Sequence, residues 1–404
     1  MNYSEIFQNQ LTALRTEGRY RQFAELERPL GMYPRARWFQ TPDAEPKEVV
    51  IWCSNDYLSM GHHPVVLTAL HQAVDTGATG AGGTRNIAGT HHAHVQLEQT
   101  LALLHSKEAA LLFTSGYSAN QTALASLGLL LEDCVILSDD SNHNSMIEGI
   151  KRSGARKIIF KHNDLADLEQ HLLHLPLAQP KIIAFESVYS MSGSIAPIPK
   201  ITALARKYQA LTYLDEVHAV GMYGALGGGV AQEMGVADEV DIIQGTLGKA
   251  FGLSGGYISA SKEIVDCVRS FGNGFIFSTS LPPMIAAAAK ASVTHLMGSS
   301  SERAQQREAV RRLRAALKQA GIPNLANDSH IVPVMVGDAF LAKAASDRLL
   351  TVHGIYVQPI NYPTVARGTE RLRFTPGPKH TQELIDQLVT ALSEIWAHLK
   401  LPRL

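Results

Sequence analysis

Residues 211–224 read LTYLDEVHAVGMYG, and residues 241–256 read DIIQGTLGKAFGLSGG. Each opens as a short apolar run and then breaks into glycine and polar residues. That is the pattern of a buried strand followed by a loop. The first run ends on Asp215, with His218 three residues on. The second is followed by Thr246 and Lys249 in a glycine-rich turn. The two runs lie about one β–α–β unit apart, so both point from one edge of a parallel sheet.

Outward from this pair, the same alternation continues. Further strand candidates are Val49–Trp52, Ala110–Thr114, Val135–Ser138, Lys157–Phe160 and Lys181–Phe185, and helical stretches cover Ser118–Leu130, Asn144–Arg152, Leu165–Leu173 and Ile198–Tyr208. This predicts an α/β fold with a mostly parallel, seven-stranded sheet flanked by helices. Near residue 290 the pattern changes. A basic helix, Ser301–Ala320, precedes IVPVMVG, GIYVQPI and a last helix from Gln382 to Leu399, which reads as a smaller α+β domain. The expected organisation is an N-terminal arm at 1–47, a large domain at 48–290 and a small domain at 291–404.

The 404 residues carry 36 basic and 37 acidic side chains, a net charge of −1. So neutral a chain has no global field to attract nucleic acid or an anionic membrane. No window approaches the apolar length of a membrane span. The N-terminal stretch has no apolar core of a signal peptide and suggests an amphipathic helix. Cys53, Cys134 and Cys267 are dispersed and odd in number, which favours a reducing, cytoplasmic setting over a disulfide framework. The HHAH run at 91–94 lacks metal-ligand spacing, so no metal is expected.

The chemistry then rests on the residues just beyond the strand ends. A strand-end aspartate alone is as often a helix cap, and Lys249 alone could be a surface lysine. Its neighbours Leu247, Gly248, Ala250 and Phe251 favour a partly buried setting, where the charged amine is disfavoured and imine formation with a carbonyl is eased. A lysine to hold an aldehyde, a carboxylate to pair with a ring nitrogen and a histidine for a ring oxygen suit pyridoxal 5'-phosphate. Gly116 and Tyr117 open the helix SANQTALASL, whose N-terminus offers backbone N–H groups to a phosphate. His143 comes after another strand end. The glycines of GATGAGG (77–83) end a helix rather than follow a strand, which argues against a dinucleotide fingerprint and an oxidoreductase.

The motifs NDYL (55–58), GTRNIAGT (83–90), SGYSAN (115–120), FESVYSM (185–191), DEVHAVGMYG (215–224), GTLGKA (245–250), FSTSLPP (277–283) and GIYVQPINYPTVARGTERLRFTPGP (354–378) occur in this order. Together they resemble the α-oxoamine synthases, fold-type I pyridoxal phosphate enzymes, over essentially the whole chain. The resemblance implies joining of an amino acid to an acyl-CoA with loss of carbon dioxide. It implies that Lys249 holds the cofactor aldehyde, Asp215 pairs with the pyridine nitrogen, His218 and Ser190 lie near the ring oxygen, and His143 stacks on the ring. Gly116, Tyr117 and Thr246 would bind the phosphate. Ser278 and Thr279 would hold the phosphate of a neighbouring subunit, which implies a homodimer with shared sites.

For the amino acid, the resemblance implies an Arg373–carboxylate pair, assisted by Asn55. Thr84 would crowd any side chain larger than hydrogen, which points to glycine. Arg21, Asn86 and Thr364 match positions that bind the distal carboxylate of succinyl-CoA, with Ile87 along the acyl channel. Ser138 and Lys157 complete the expected substrate contacts, Lys157 from a basic run facing the CoA phosphates. A member using acetyl-CoA is the alternative. In the loop PTVARG, Ala366 stands where many relatives have proline, which implies a looser loop.

Overall fold

The computed structural model describes residues 1–41, 43–77 and 79–403. The chain forms two compact units, one of residues 56–190 and 194–303, the other of residues 1–55, 191–193 and 304–404.

In the first unit, the predicted alternation becomes a seven-stranded sheet. Its strands are β1 (Ala109–Phe113), β2 (Val135–Asp139), β3 (Arg156–Phe160), β4 (Lys181–Glu186), β5 (Leu211–Asp215), β6 (Ile242–Thr246) and β7 (Gly256–Ala260). Their spatial order is β1-β7-β6-β5-β4-β2-β3. Strands β2 to β6 run parallel, and β7 is antiparallel to both β6 and β1. Strands β4 and β6 are buried at every position, as expected of strands covered by helices on both faces. One face packs Leu111, Ile136, Ile182, Tyr213, Ile242 and Ile258 against helices that carry Ala123, Leu124, Leu127 and Ile150. Helices Gly116–Leu130 and Asn144–Ser153 touch at Gly149, where a Cβ would meet the Asn120 carbonyl oxygen at 2.9 Å. That contact brings Asn120 against the start of the neighbouring helix.

Two expectations change here. The sheet has the seven strands expected, but Val49–Trp52 is not among them. Residues Lys47–Ile51 instead pair antiparallel with Arg35–Phe39 and parallel with Ile355–Tyr356 in the second unit. The seventh strand is β7, which starts where the run read as a glycine-rich turn ends.

The second unit holds a four-stranded sheet and a three-stranded one. The former adds Glu25–Glu27 to the three strands just named; the latter is Val332–Met335, Arg371–Phe374 and Pro359–Ile360. Helices Ser301–Gln319, Ala339–His353 and Gln382–His398 supply Leu313, Leu317, Leu349, Leu388 and Trp396 to its core, around Trp52, Val334 and Phe374. The segment expected as an arm therefore contributes strands to this unit, and the units divide after Asn55 and Arg303 rather than after 47 and 290. The N-terminal helix forms over Tyr3–Thr16, capped by the Asn2 side chain, with none of its residues buried. No helix among the described residues is long and apolar enough to cross a membrane.

Candidate active site

The parallel register sets three polar side chains abreast at the carboxyl ends of the central strands. Glu186 of β4 is opposite Asp215 of β5, and Asp215 is opposite Gln244 of β6. All three are at least 96% buried. Asp215 Oδ2 accepts a hydrogen bond from Asn120 Nδ2 at 2.6 Å, and its Oδ1 accepts one from the Val217 N–H at 2.8 Å. Asn120 is itself fixed, donating to Ser145 Oγ (3.0 Å) and accepting from the Tyr213 hydroxyl (2.9 Å). The carboxylate is thus aimed by a chain running back through β5 to helix Gly116–Leu130.

The turn after β6 places the Lys249 amine 2.9 Å from His218 Nε2, and His218 Nδ1 is 2.7 Å from the Tyr57 hydroxyl. The imidazole therefore lies between a phenol and an amine. Its loop is tied down by Glu216, fully buried, whose carboxylate accepts from the Val230 and Ala231 N–H groups at 3.0 and 2.8 Å. Burial pushes the Glu216 carboxyl up to about 7.

Between β1 and its helix, Ser115 caps the helix start and Gly116 begins it. A Cβ on Gly116 would lie 3.3 Å from Thr246 Oγ1, so glycine leaves room where a helix N-terminus and a hydroxyl converge. Tyr117 donates to Asn144 Oδ1 at 3.0 Å, and its ring meets the His143 ring edge-on at 6.4 Å. His143 caps the following helix through Nδ1. Burial holds its imidazole below the ordinary value, so it is neutral near pH 7. Its backbone N–H donates to Glu186 Oε1.

In the other unit, Arg373 is buried on its strand and donates from Nη1 to Asn55 Oδ1 at 3.2 Å. Arg21 Nη2 donates to Thr364 Oγ1 at 3.0 Å. This pair lines a cavity of about 890 Å³, along with Arg19, Tyr20, Trp38 and Tyr362. The second unit thus sets Arg373 beside Asn55, and Arg21 beside Thr364. Back in the first unit, Thr84 Oγ1 donates to Asn86 Oδ1 (2.6 Å), Ile87 is 76% exposed, and Thr84 bridges Thr279. Ser278 is half-buried, and Ser190 begins the turn after β4. Two expected substrate contacts find other surroundings. Ser138 is buried in β2, accepts from Asn142 Nδ2 at 2.9 Å and donates to the Asp139 carbonyl. Lys157 is exposed on β3, the edge strand.

Sequence reasoning missed Asn120, Glu186, Glu216 and Tyr57, although SGYSAN, FESVYSM, DEVH and NDYL contain them. Glu186 and Glu216 had only a strand end beside them as a signal, and Asn120 and Tyr57 had none. Two histidine–carboxylate groups also escaped notice: His63, His295 and Glu302, and Asp139, Asp140 and His162, each with ligating atoms within 4.8 Å of one another. In both, the atoms engage each other directly. His295 is 2.8 Å from Glu302, and His162 is 2.9 Å from Asp139.

An amine, a buried anchored carboxylate and a glycine-lined helix N-terminus beside Thr246 are the parts that pyridoxal phosphate requires, and the residues fit it. Fold and site define a fold-type I pyridoxal phosphate enzyme. Residues 47–392 match the aminotransferase class I and II family. Among solved structures, a serine palmitoyltransferase of Sphingomonas wittichii superposes with a TM-score of 0.90 at 28% identity, covering 99% of this chain and 98% of its own. The 8-amino-7-oxononanoate synthase of Francisella tularensis gives 0.73 at 25% identity, covering 87% and 99%. The 5-aminolevulinate synthase of Bradyrhizobium diazoefficiens is 57% identical over all of this chain and 98% of its own length. The mitochondrial 5-aminolevulinate synthase of Schizosaccharomyces pombe is 53% identical over all of this chain and 72% of its own length. The chain belongs to the 5-aminolevulinate synthases, acyltransferases that depend on pyridoxal phosphate.

Proposed function

We propose that the chain condenses glycine with succinyl-CoA to give 5-aminolevulinate, CoA and carbon dioxide, as a cytoplasmic homodimer. The observation that carries this reading is the Arg21–Thr364 pair on its own cavity. A guanidinium and a hydroxyl set together suit a distal carboxylate, which succinyl-CoA has and acetyl-CoA lacks.

Pyridoxal phosphate, when bound, supplies an aldehyde for the amino group and an electron-accepting ring. Asp215 would hold the ring nitrogen, with Asn120 and the Val217 N–H fixing the carboxylate. Gly116, Tyr117 and Thr246 would hold the phosphate, and His143 would lie against the ring. His218 and Ser190 would contact the ring oxygen. Arg373, steadied by Asn55, grips the glycine carboxylate, and Thr84 excludes larger side chains. Lys249, as a neutral amine, would take the glycine Cα proton as general base. The new carbon–carbon bond forms as the thioester bond breaks and CoA leaves. Loss of the glycine carboxylate as carbon dioxide and return of a proton to Cα complete the product. Ser278 and Thr279 serve the phosphate of the partner subunit, while Asn86 and Ile87 serve the acyl group. Ser138 and Lys157 complete the substrate contacts, with Lys157 serving the CoA phosphates.

The test is product identification with glycine and either succinyl-CoA or acetyl-CoA, side by side. We expect 5-aminolevulinate from succinyl-CoA and at least a tenfold lower rate with acetyl-CoA, the order of one lost charge-assisted contact. Equal rates would overturn the succinyl assignment.

A further inference from the structure

Glu186 is a buried carboxyl at the heart of the site, and no step of the reaction proposed for the chain uses it. It ends β4 directly beside Asp215 in the parallel register, so the two side chains leave the sheet on the same face. It is 98% buried. Its Oε1 accepts a hydrogen bond from the backbone N–H of His143 at 2.5 Å. His143 is the cap of helix Asn144–Ser153, and its ring nitrogen Nδ1 bonds back to Ser145 Oγ and the Ser145 N–H at 2.8 and 3.2 Å. The residue is therefore held at its ring by its own helix and at its main chain by Glu186.

We propose that Glu186 is a positioning residue, which sets the His143 ring against the cofactor by anchoring the His143 main chain beside Asp215. The proposal rests on the pyridoxal phosphate reading and deepens it. Burial, followed by the adjacent Asp215, drives the Glu186 carboxyl well above the usual carboxylate range. The His143 N–H bond and then Lys249 act in the opposite direction, and Asp139 adds to the upward push. A neutral acid can accept from an N–H without placing a second negative charge beside Asp215. The geometry thus separates two carboxyls one strand apart. Asp215 accepts two hydrogen bonds and faces the ring nitrogen, whereas Glu186 accepts one and serves the main chain.

The test uses the full-length holoenzyme and three variants. Glu186→Gln keeps the length and a neutral acceptor oxygen. Glu186→Asp retracts the carboxyl by one methylene, and Glu186→Ala removes it. The readouts are the visible circular dichroism of bound pyridoxal phosphate and its dissociation constant, both taken without substrate. We expect Gln to hold both within twofold of wild type. We expect Asp and Ala to reduce the dichroic band at least twofold and weaken cofactor binding about tenfold, as for one lost buried hydrogen bond. The proposal is overturned if Gln behaves like Ala, or if Asp leaves the band unchanged. Should Ala fail to fold, the Gln and Asp pair still decides it. If wild type itself shows no visible band with pyridoxal phosphate, the underlying cofactor reading fails, and that outcome is distinct from failure of the variants alone.

Discussion

Replacing Asn120 by alanine tests how the carboxylate at the strand edge is held. The side chain is 99% buried and makes three hydrogen bonds: to Asp215 Oδ2, to Ser145 Oγ and from the Tyr213 hydroxyl. The first is charge-assisted and carries about 2 kcal/mol; the other two carry roughly 1 kcal/mol each. Together they amount to about 4 kcal/mol, a large share of the ~5–15 kcal/mol that holds a protein folded. About half of the loss concerns the orientation of Asp215 rather than helix packing. That half, ~2 kcal/mol, corresponds to a roughly thirtyfold weaker hold on the cofactor. Two assays separate the halves: urea unfolding of the apoprotein, and titration of the apoprotein with pyridoxal phosphate followed by absorbance. Tyr213→Phe is the control, because it removes only the bond to Asn120 Oδ1. It should cost about 1 kcal/mol of stability and leave cofactor affinity within threefold. If Asn120→Ala binds pyridoxal phosphate within twofold of wild type, Asp215 does not depend on Asn120 and the reasoning fails. If Tyr213→Phe weakens the cofactor as much as Asn120→Ala does, the energy lies in helix packing instead.

Lys249→Ala should abolish both the visible absorbance of the cofactor adduct and steady turnover; surviving turnover would remove Lys249 from its role. Arg373→Lys exchanges the planar fork that donates to Asn55 for a point charge, and should raise the KM for glycine at least tenfold. An unchanged KM would place the glycine carboxylate elsewhere. Ala366→Pro leaves in place the carbonyl that accepts from the Thr369 N–H at 3.1 Å and the Thr369 hydroxyl at 2.7 Å. It should alter kcat more than glycine specificity, through loop stiffness; a specificity change at constant turnover would refute this. His380, buried against Trp52, accepts from the Gly377 N–H and is 2.9 Å from the Ile51 carbonyl, and burial lowers its imidazole to about 4. Below about pH 6.5 the unfolded chain takes up a proton that the folded one refuses, so stability falls as pH drops from about 6.5 to about 4. The full difference is about 3 kcal/mol. In His380→Gln, the urea midpoint should depend less on pH across that window; an unchanged slope would assign it to other groups.

The parts of the fold that were legible are those where periodicity and length agree. The runs ending at Asp139, Glu186, Asp215 and Thr246 are apolar, five or six residues long, and lie between helices. Only a parallel sheet accommodates that spacing. The strand Gly256–Ala260 was hidden for the converse reason. Residues 247–255 are too few for a helical crossover, so the chain must return antiparallel, and their glycines mask the strand behind a turn. Lys47–Ile51 shows the opposite failure. Its apolar residues do mark a strand, but local pattern does not say which sheet it joins. That choice is made by Arg35–Phe39 and by Ile355–Tyr356, some 300 residues away in sequence.

The candidate site divides along the same line. Residues proposed to meet the cofactor directly, Asp215, His218, Thr246 and Lys249, lie at strand ends or within a few positions of them, so sequence alone can gather them on one edge. Residues that act through another residue leave no such trace. Asn120 is on a helix face where a small polar residue normally points to solvent, and it reads as polar decoration until the Gly149 contact closes that face. Glu186 reads as a strand-end acid. It becomes part of the site only because the parallel register sets it abreast of Asp215 while its oxygen reaches the His143 N–H. Two carboxyls on adjacent buried strands cannot both be charged cheaply. Their distinct partners, two donors for Asp215 and a main-chain N–H for Glu186, give the two carboxyls separate tasks. That division depends on register, which is a property of the sheet rather than of either segment. In this chain, therefore, the identity of the chemistry is local in sequence, and its precision is not.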